Sequence, residues 1–161
     1  MFKYVLQLMI GFLVFMFSTI IAWYEGSAII ENSFDWKYST PFSKLLNIEI
    51  TNGHDISQLD YFVYAAKFQP LFPSIMMFSA LYMLVVLIVL LQRFKQKVAI
   101  IVSAILGLLL VGICGLLVKA QVIGGPVLFR ISLLGACSFL AIALIIWYQR
   151  HKQKTHVSIV K

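Results

Sequence analysis

His54 followed directly by Asp55, with Asp60 a little further on, is the one place where this sequence gathers an imidazole and two carboxylates. At a lipid headgroup surface such a trio could move protons or activate a water, and His with carboxylates can ligate a divalent metal. The spacing argues against both. Neither His54 nor the tail pair His151 and His156 shows the spacing of a helical metal site, and none has a nucleophile with a supporting acid beside it. Cys114 and Cys137 lie inside apolar runs with no CxxC, CxxCH or Cys/His pattern, which reads as two packed small side chains. No Gly-x-Ser-x-Gly elbow and no glycine-rich phosphate loop occurs. No catalytic residue, cofactor site or metal site is therefore expected.

The elements that hold these residues follow from where charge is allowed. All six acids, Glu25, Glu31, Asp35, Glu49, Asp55 and Asp60, fall between Trp23 and Pro70. With 61% hydrophobic and 12% charged residues, the chain lies outside the soluble range of about 45–50% apolar and about 25% charged. Its 161 residues leave room for four spanning helices of roughly 20 residues each and one modest domain. The expected architecture is an all-α four-helix transmembrane bundle with a long first outer loop. Residues 1–22 form the first span, 71–92 the second, 98–118 the third and 127–148 the fourth. Residues 93–97 make a basic loop, 119–126 a short outer turn with a Gly-Gly-Pro breaker, and 149–161 a solvated, partly disordered basic tail. The uncharged run through Ala22 exceeds the apolar core of a cleaved signal, so the first span is read as an uncleaved anchor.

The net charge of +7 belongs to this topology and not to nucleic acid, because outside the loop the cations flank apolar runs. Lys3, Arg93, Lys95, Lys97, Arg150, Lys152, Lys154 and Lys161 share one side; Lys37, Lys44, Lys67, Lys119 and Arg130 share the other with every acid. The positive-inside rule then puts both termini in the cytoplasm and residues 23–70 outside a plasma membrane. From Tyr4 onward the first three spans carry no Asp, Glu, His, Lys or Arg. Arg130 alone enters a span, near its outer end, where it could pair with Glu25 and lock the first and fourth helices together. Gly11, Ser18 and Ala22 give the first span a small-residue face; Ser103, Gly107, Gly112 and Gly115 give the third one for close helix packing.

Within 23–70, Trp23 and Tyr24 are placed as aromatic-belt residues. Phe34, Trp36 and Tyr38 alternate with polar residues, as do Leu46, Ile48 and Ile50, so 34–51 reads as a short β-ribbon. Thr40-Pro41 can equally open a helical turn through Lys44. Asn52-Gly53 marks a turn, Asp55 with Gln58 suggests a capping box, and Leu59, Val63 and Ala66 mark the apolar face of a surface helix at about 56–68. Trp36, Tyr38, Tyr61 and Tyr64 are the candidate interaction surface, since aromatics beside charge are typical of contact sites.

The run Trp23-Tyr24-Glu25-Gly26-Ser27, with Asp35-Trp36-Lys37-Tyr38-Ser39 and Asp55-Ile56-Ser57-Gln58-Leu59-Asp60-Tyr61, resembles a family of small uncharacterised membrane proteins of Bacillus-like bacteria, defined as a domain of unknown function. The resemblance covers roughly the first half of the chain and implies a bacterial plasma membrane without a mechanism. The layout also looks like that of claudin-type tetraspan proteins, although their Gly-Leu-Trp and paired-cysteine loop signature is absent. The expected role is a non-catalytic binding, accessory or assembly subunit, with the bilayer and a membrane or extracellular protein as partners of 23–70. An oligomeric small-molecule or ion pathway with the third helix at the interface, and a lipid-directed enzyme using His54, Asp55 and Asp60, are the alternatives.

Overall fold

The computed structural model describes the backbone of residues 2–118 and 122–159, and side chains as far as residue 152. Among these residues seven α-helices follow in order: α1 Phe2–Gly26, α2 Ser33–Ser39, α3 Pro41–Leu45, α4 Gln58–Phe68, α5 Leu71–Phe94, α6 Gln96–Leu117 and α7 Gly124–Ile159. Two 3-10 turns, Ser27–Ile30 and Gly53–Asp55, join them between α1 and α5. Helices α1, α5, α6 and α7 are long and apolar enough to cross a membrane. The protein is thus an all-α chain built on a four-helix transmembrane bundle.

The bundle is two hairpins side by side. Helix α1 packs chiefly on α5, and α6 on α7; α5 then bridges to both α6 and α7. Lipid tails are as apolar as leucine, so association inside a membrane rests on close packing and interhelical hydrogen bonds. Small residues supply both. Gly11, Ser18 and Ala22 are on the buried face of α1, with Gly11 against Met83 and Tyr82 of α5. On α6, Ser103 is fully buried and donates its hydroxyl to the Phe139 carbonyl of α7 at 2.6 Å, while Gly107 admits Leu140. Gly135 of α7 is closed over by Leu81 and Leu110. Around these contacts Ile88, Ala99, Leu110, Ala136, Phe139 and Ile146 form a continuous apolar core.

Pro73 lies in the first turn of α5, where the missing amide would have no helical partner, so it starts the span without kinking it. At the far end a single residue, Lys95, separates α5 from α6. The helix of the fourth span runs on past Tyr148: α7 continues to Ile159, in place of the partly disordered tail expected from its charge. Of the short outer turn, Lys119, Ala120 and Gln121 lie outside the described residues.

The segment between α1 and α5 folds into a helical cap with its own core of Ile29, Ile56, Tyr61 and Tyr64, lined by Trp36, Ile50 and Phe68. Here water is the competing solvent, and burying each such side chain contributes about 1.5–3 kcal/mol. No strand occurs among the described residues, which removes the ribbon reading of 34–51. Residues 33–39 and 41–45 are helical instead, the second beginning at Pro41.

Candidate interaction surface

The cap consists of helices too short to persist alone, since isolated helices under about 12–15 residues are marginal in water. Side chains from distant positions hold their ends. Asp60, fully buried on α4, reaches across to the start of α3, where its carboxylate accepts the Phe42 amide at 2.8 Å, the Ser43 amide at 2.8 Å and the Ser43 hydroxyl at 2.6 Å. A negative charge on the first free amides of a helix is the favourable sense of the helix dipole. Ser43 Oγ in turn accepts the Ser57 amide at 2.9 Å, which ties α3 to the residue before α4. Thr40, buried between α2 and α3, donates to the Trp36 carbonyl.

Opposite charges serve the other end of α2. Lys67 Nζ donates to the Tyr38 carbonyl and to Ser39 Oγ, and Lys44 Nζ to the Lys37 carbonyl. Cations on the last carbonyls again follow the dipole. Burial lowers the Lys67 pKa below its ordinary 10.5, partly opposed by the Asp35 charge. Asp55 closes its own 3-10 turn by accepting the Thr51 hydroxyl at 2.7 Å, the Asn52 amide at 2.8 Å and the Thr51 amide at 3.0 Å. These bonds, the Thr51 hydroxyl foremost, pull its pKa below the ordinary 3.8.

The sequence reading of this segment therefore needs several corrections. Asp55 does not cap α4; Ser57 precedes that helix, which starts at Gln58. The buried face of α4 is Asp60, Tyr61, Tyr64 and Ala65, and Leu59 of the expected apolar face is exposed. Of the proposed recognition aromatics, Tyr61 and Tyr64 are buried in the cap core, and Trp36 is half-buried with its indole N–H on the Ile29 carbonyl at 2.7 Å. The Tyr64 hydroxyl accepts from Asn32 Nδ2 at 2.9 Å, and burial raises its pKa above 10.0. Only Tyr38 is exposed, at 71%. Beside it on the same face of α2 is Phe34, 93% exposed, and the end of α3 adds Leu45 and Leu46 at 77% and 59%. The last three were not among the expected site residues; their signal was apolar character on helices too short to bury every face.

The remaining candidates separate in the same way. Among the described residues Glu25 and Arg130 make no ion pair: Arg130 is exposed, and Glu25 Oε2 is buried without a hydrogen-bond partner. Ser103 and Gly107 sit in the α6–α7 interface, whereas Gly112 and Gly115 face open space. Cys114 is buried and Cys137 exposed, both as free thiols. His54 is exposed, and Asp55 and Asp60 are engaged in the two turns above.

The cap is seated on the bundle through glycines. A Cβ on Gly26, at the end of α1, would overlap the Tyr61 carbonyl of α4; one on Gly124, at the start of α7, would overlap the Ala66 carbonyl. Helix α4 thus lies directly on the C-terminal end of α1 and the N-terminal end of α7.

Residues 5–92, which carry α1, the whole cap and nearly all of α5, match the family described as Domain of unknown function (DUF4306). The chain belongs to this family. It is also similar to a protein of Bacillus subtilis (strain 168) described as uncharacterised protein YjdJ, with 40% identity over 93 residues that cover 56% of this chain and 85% of that protein. No solved structure matches the chain. The family match stops before the Lys95 joint, so it takes in the first hairpin with its cap and leaves the α6–α7 hairpin outside.

Proposed function

We propose that this protein is a membrane-anchored, non-catalytic binding or accessory subunit that presents its cap to a protein partner at the outer face of a bacterial plasma membrane, with both termini cytoplasmic. The observation carrying this reading is the exposed group Phe34, Tyr38, Leu45 and Leu46 on α2 and at the end of α3. Exposed apolar side chains gathered on a small domain are characteristic of interaction sites. These stand on helices whose ends are tied by Asp60, Lys44 and Lys67, so the surface is preorganised and little ordering entropy opposes binding. The mix of Lys37 and Lys44 with Glu31 and Glu49 nearby in sequence suits a protein rim.

The alternatives find less support. A polar pathway through the bundle needs polar groups facing a channel, but the described core is apolar, and Ser18, Ser103 and Ser132 each donate to a helix carbonyl. A lipid-directed enzyme needs free acids, whereas Asp55 and Asp60 accept three hydrogen bonds each within the cap.

A photoreactive residue at position 34, 38 or 45 in native membranes tests the proposal, with position 59 as control because Leu59 is exposed on α4. Capture of one and the same protein from the first three positions, but not from the fourth, supports it. Capture of lipid alone from all four overturns it.

A further inference from the structure

At the end of the bundle remote from the cap, we propose that the corner where α5, α6 and α7 meet is a binding site for a phosphate group, carried by an anionic lipid headgroup or by a free phosphate compound. A cavity of about 460 Å³ opens there, and its walls include Arg93 and Lys95 at the end of α5, Lys97 at the start of α6, and Arg150 on α7. Pockets that hold small ligands begin at about 300 Å³, so the space suffices for a phosphodiester headgroup.

Four cations line it and no acid does. Every acidic side chain of the protein falls between residues 25 and 60, in the outer end of α1 and the cap. Among the described residues, Lys95, Lys97 and Arg150 find no side-chain hydrogen-bond or ion-pair partner. Like charges drawn together in this way repel, and an anion between them removes the repulsion. The corner is also built and not merely basic. Arg93 donates from Nη2 to the Tyr4 hydroxyl of α1 at 2.7 Å, with its guanidinium 4.9 Å from the centre of that ring. Gln92 Nε2 donates to Gln149 Oε1 at 3.2 Å and ties α5 to α7 beside the cavity. The one-residue joint at Lys95 turns the chain so sharply that Gln96 and Lys97 begin a new helix in the cavity wall. The first amides of that helix have no carbonyl partner within it and add donors suited to phosphate oxygens. Between two successive spans the joint sits at headgroup depth, where anionic lipid is abundant and each near-surface cation contributes about 1 kcal/mol of attraction. This inference rests on the membrane reading of α5 and α6 and is independent of any partner for the cap.

The test uses the full-length protein in uncharged detergent, titrated with short-chain phosphatidylglycerol, phosphatidylcholine of equal chain length, and inorganic phosphate, and read by native mass spectrometry. Binding of phosphatidylglycerol at concentrations at least tenfold below phosphatidylcholine is expected. The pair Lys97→Gln and Arg150→Gln should abolish that preference. The pair Lys3→Gln and Lys152→Gln removes the same charge outside the cavity and should retain it. Displacement of phosphatidylglycerol by millimolar phosphate would identify free phosphate as a sufficient occupant; no displacement would identify the headgroup. Equal binding of the two lipids, or equal loss in both double variants, would overturn the site.

Discussion

Replacing Asp60 with alanine should release the corner between α2 and α3 while leaving the spans intact. The carboxylate is fully buried and accepts three hydrogen bonds, two from the Phe42 and Ser43 amides. Ser43 Oγ still accepts the Ser57 amide, but its O–H loses the Asp60 acceptor. Three donors are left unsatisfied, the Phe42 amide only partly buried, and at about 1–3 kcal/mol each the loss for the corner is at least roughly 3 kcal/mol. Hydrogen exchange of the protein in nanodiscs reads this directly. If local opening governs exchange, about 3 kcal/mol corresponds to roughly a hundredfold faster exchange at Phe42 and Ser43. Amides of α6 and α7 should be unchanged. Asp60→Asn keeps one acceptor oxygen and should show a smaller increase at the same amides. Exchange at Phe42 and Ser43 within threefold of the parent in the alanine variant would refute the assignment of Asp60 as the cap of α3.

Three further outcomes are expected. Gly26→Ala and Gly124→Ala drive a methyl into backbone carbonyls of α4 and should each destabilise the seated cap by about 1–3 kcal/mol, whereas Gly112→Ala meets open space and should stabilise its helix by about 0.5–1 kcal/mol; denaturant titration in detergent distinguishes them. In a double-mutant cycle, Glu25→Gln and Arg130→Gln should be additive to within about 0.5 kcal/mol, and a larger coupling would restore the ion pair that the structure lacks. Asp55 has a folded pKa below its unfolded value near 3.8, so its contribution to the Gly53–Asp55 turn should be fully present above pH 3.8 and vanish as pH falls through the lower folded value. Thr51→Val removes the foremost cause and should move the Asp55 pKa, followed by carboxyl NMR, back toward 3.8.

The spans were legible because an uncharged run of about 20 residues matches the thickness of a bilayer core and exceeds what a small soluble core can bury. The small residues Gly11, Ser18, Ala22, Ser103 and Gly107 lie on packed faces as their spacing suggests. The cap was less so, for a geometric reason. A strand puts i, i+2 and i+4 on one face, whereas a helix keeps i and i+4 together and sends i+2 to the opposite side, and over five residues apolar side chains at spacing two fit either. Phe34 and Tyr38 therefore share the exposed side of α2 and Trp36 takes the other, although the alternation looked like a strand. The capping role of Asp60 is not legible in the sequence because its partners, Phe42 and Ser43, are distant from it in the chain. A hint did exist: Pro41 opens a helix after Thr40, whose hydroxyl turns back to Trp36 and leaves the new amides to another acceptor. Tyr61 and Tyr64 looked like recognition residues because tyrosine is amphipathic and serves a core or a surface equally well.

The seat of Gly124 under the Ala66 carbonyl bears on the order in which the protein matures. Helix α4 is synthesised well before α7, and the family segment, residues 5–92, ends before α7 begins. The first hairpin must therefore cross and settle with one end of α4 still without its support. The contact of α4 with α7 can form only once the last helix is in place, so in a chain truncated after α5 the same exposed side chains of the cap would stand on a platform resting on α1 and α5 alone.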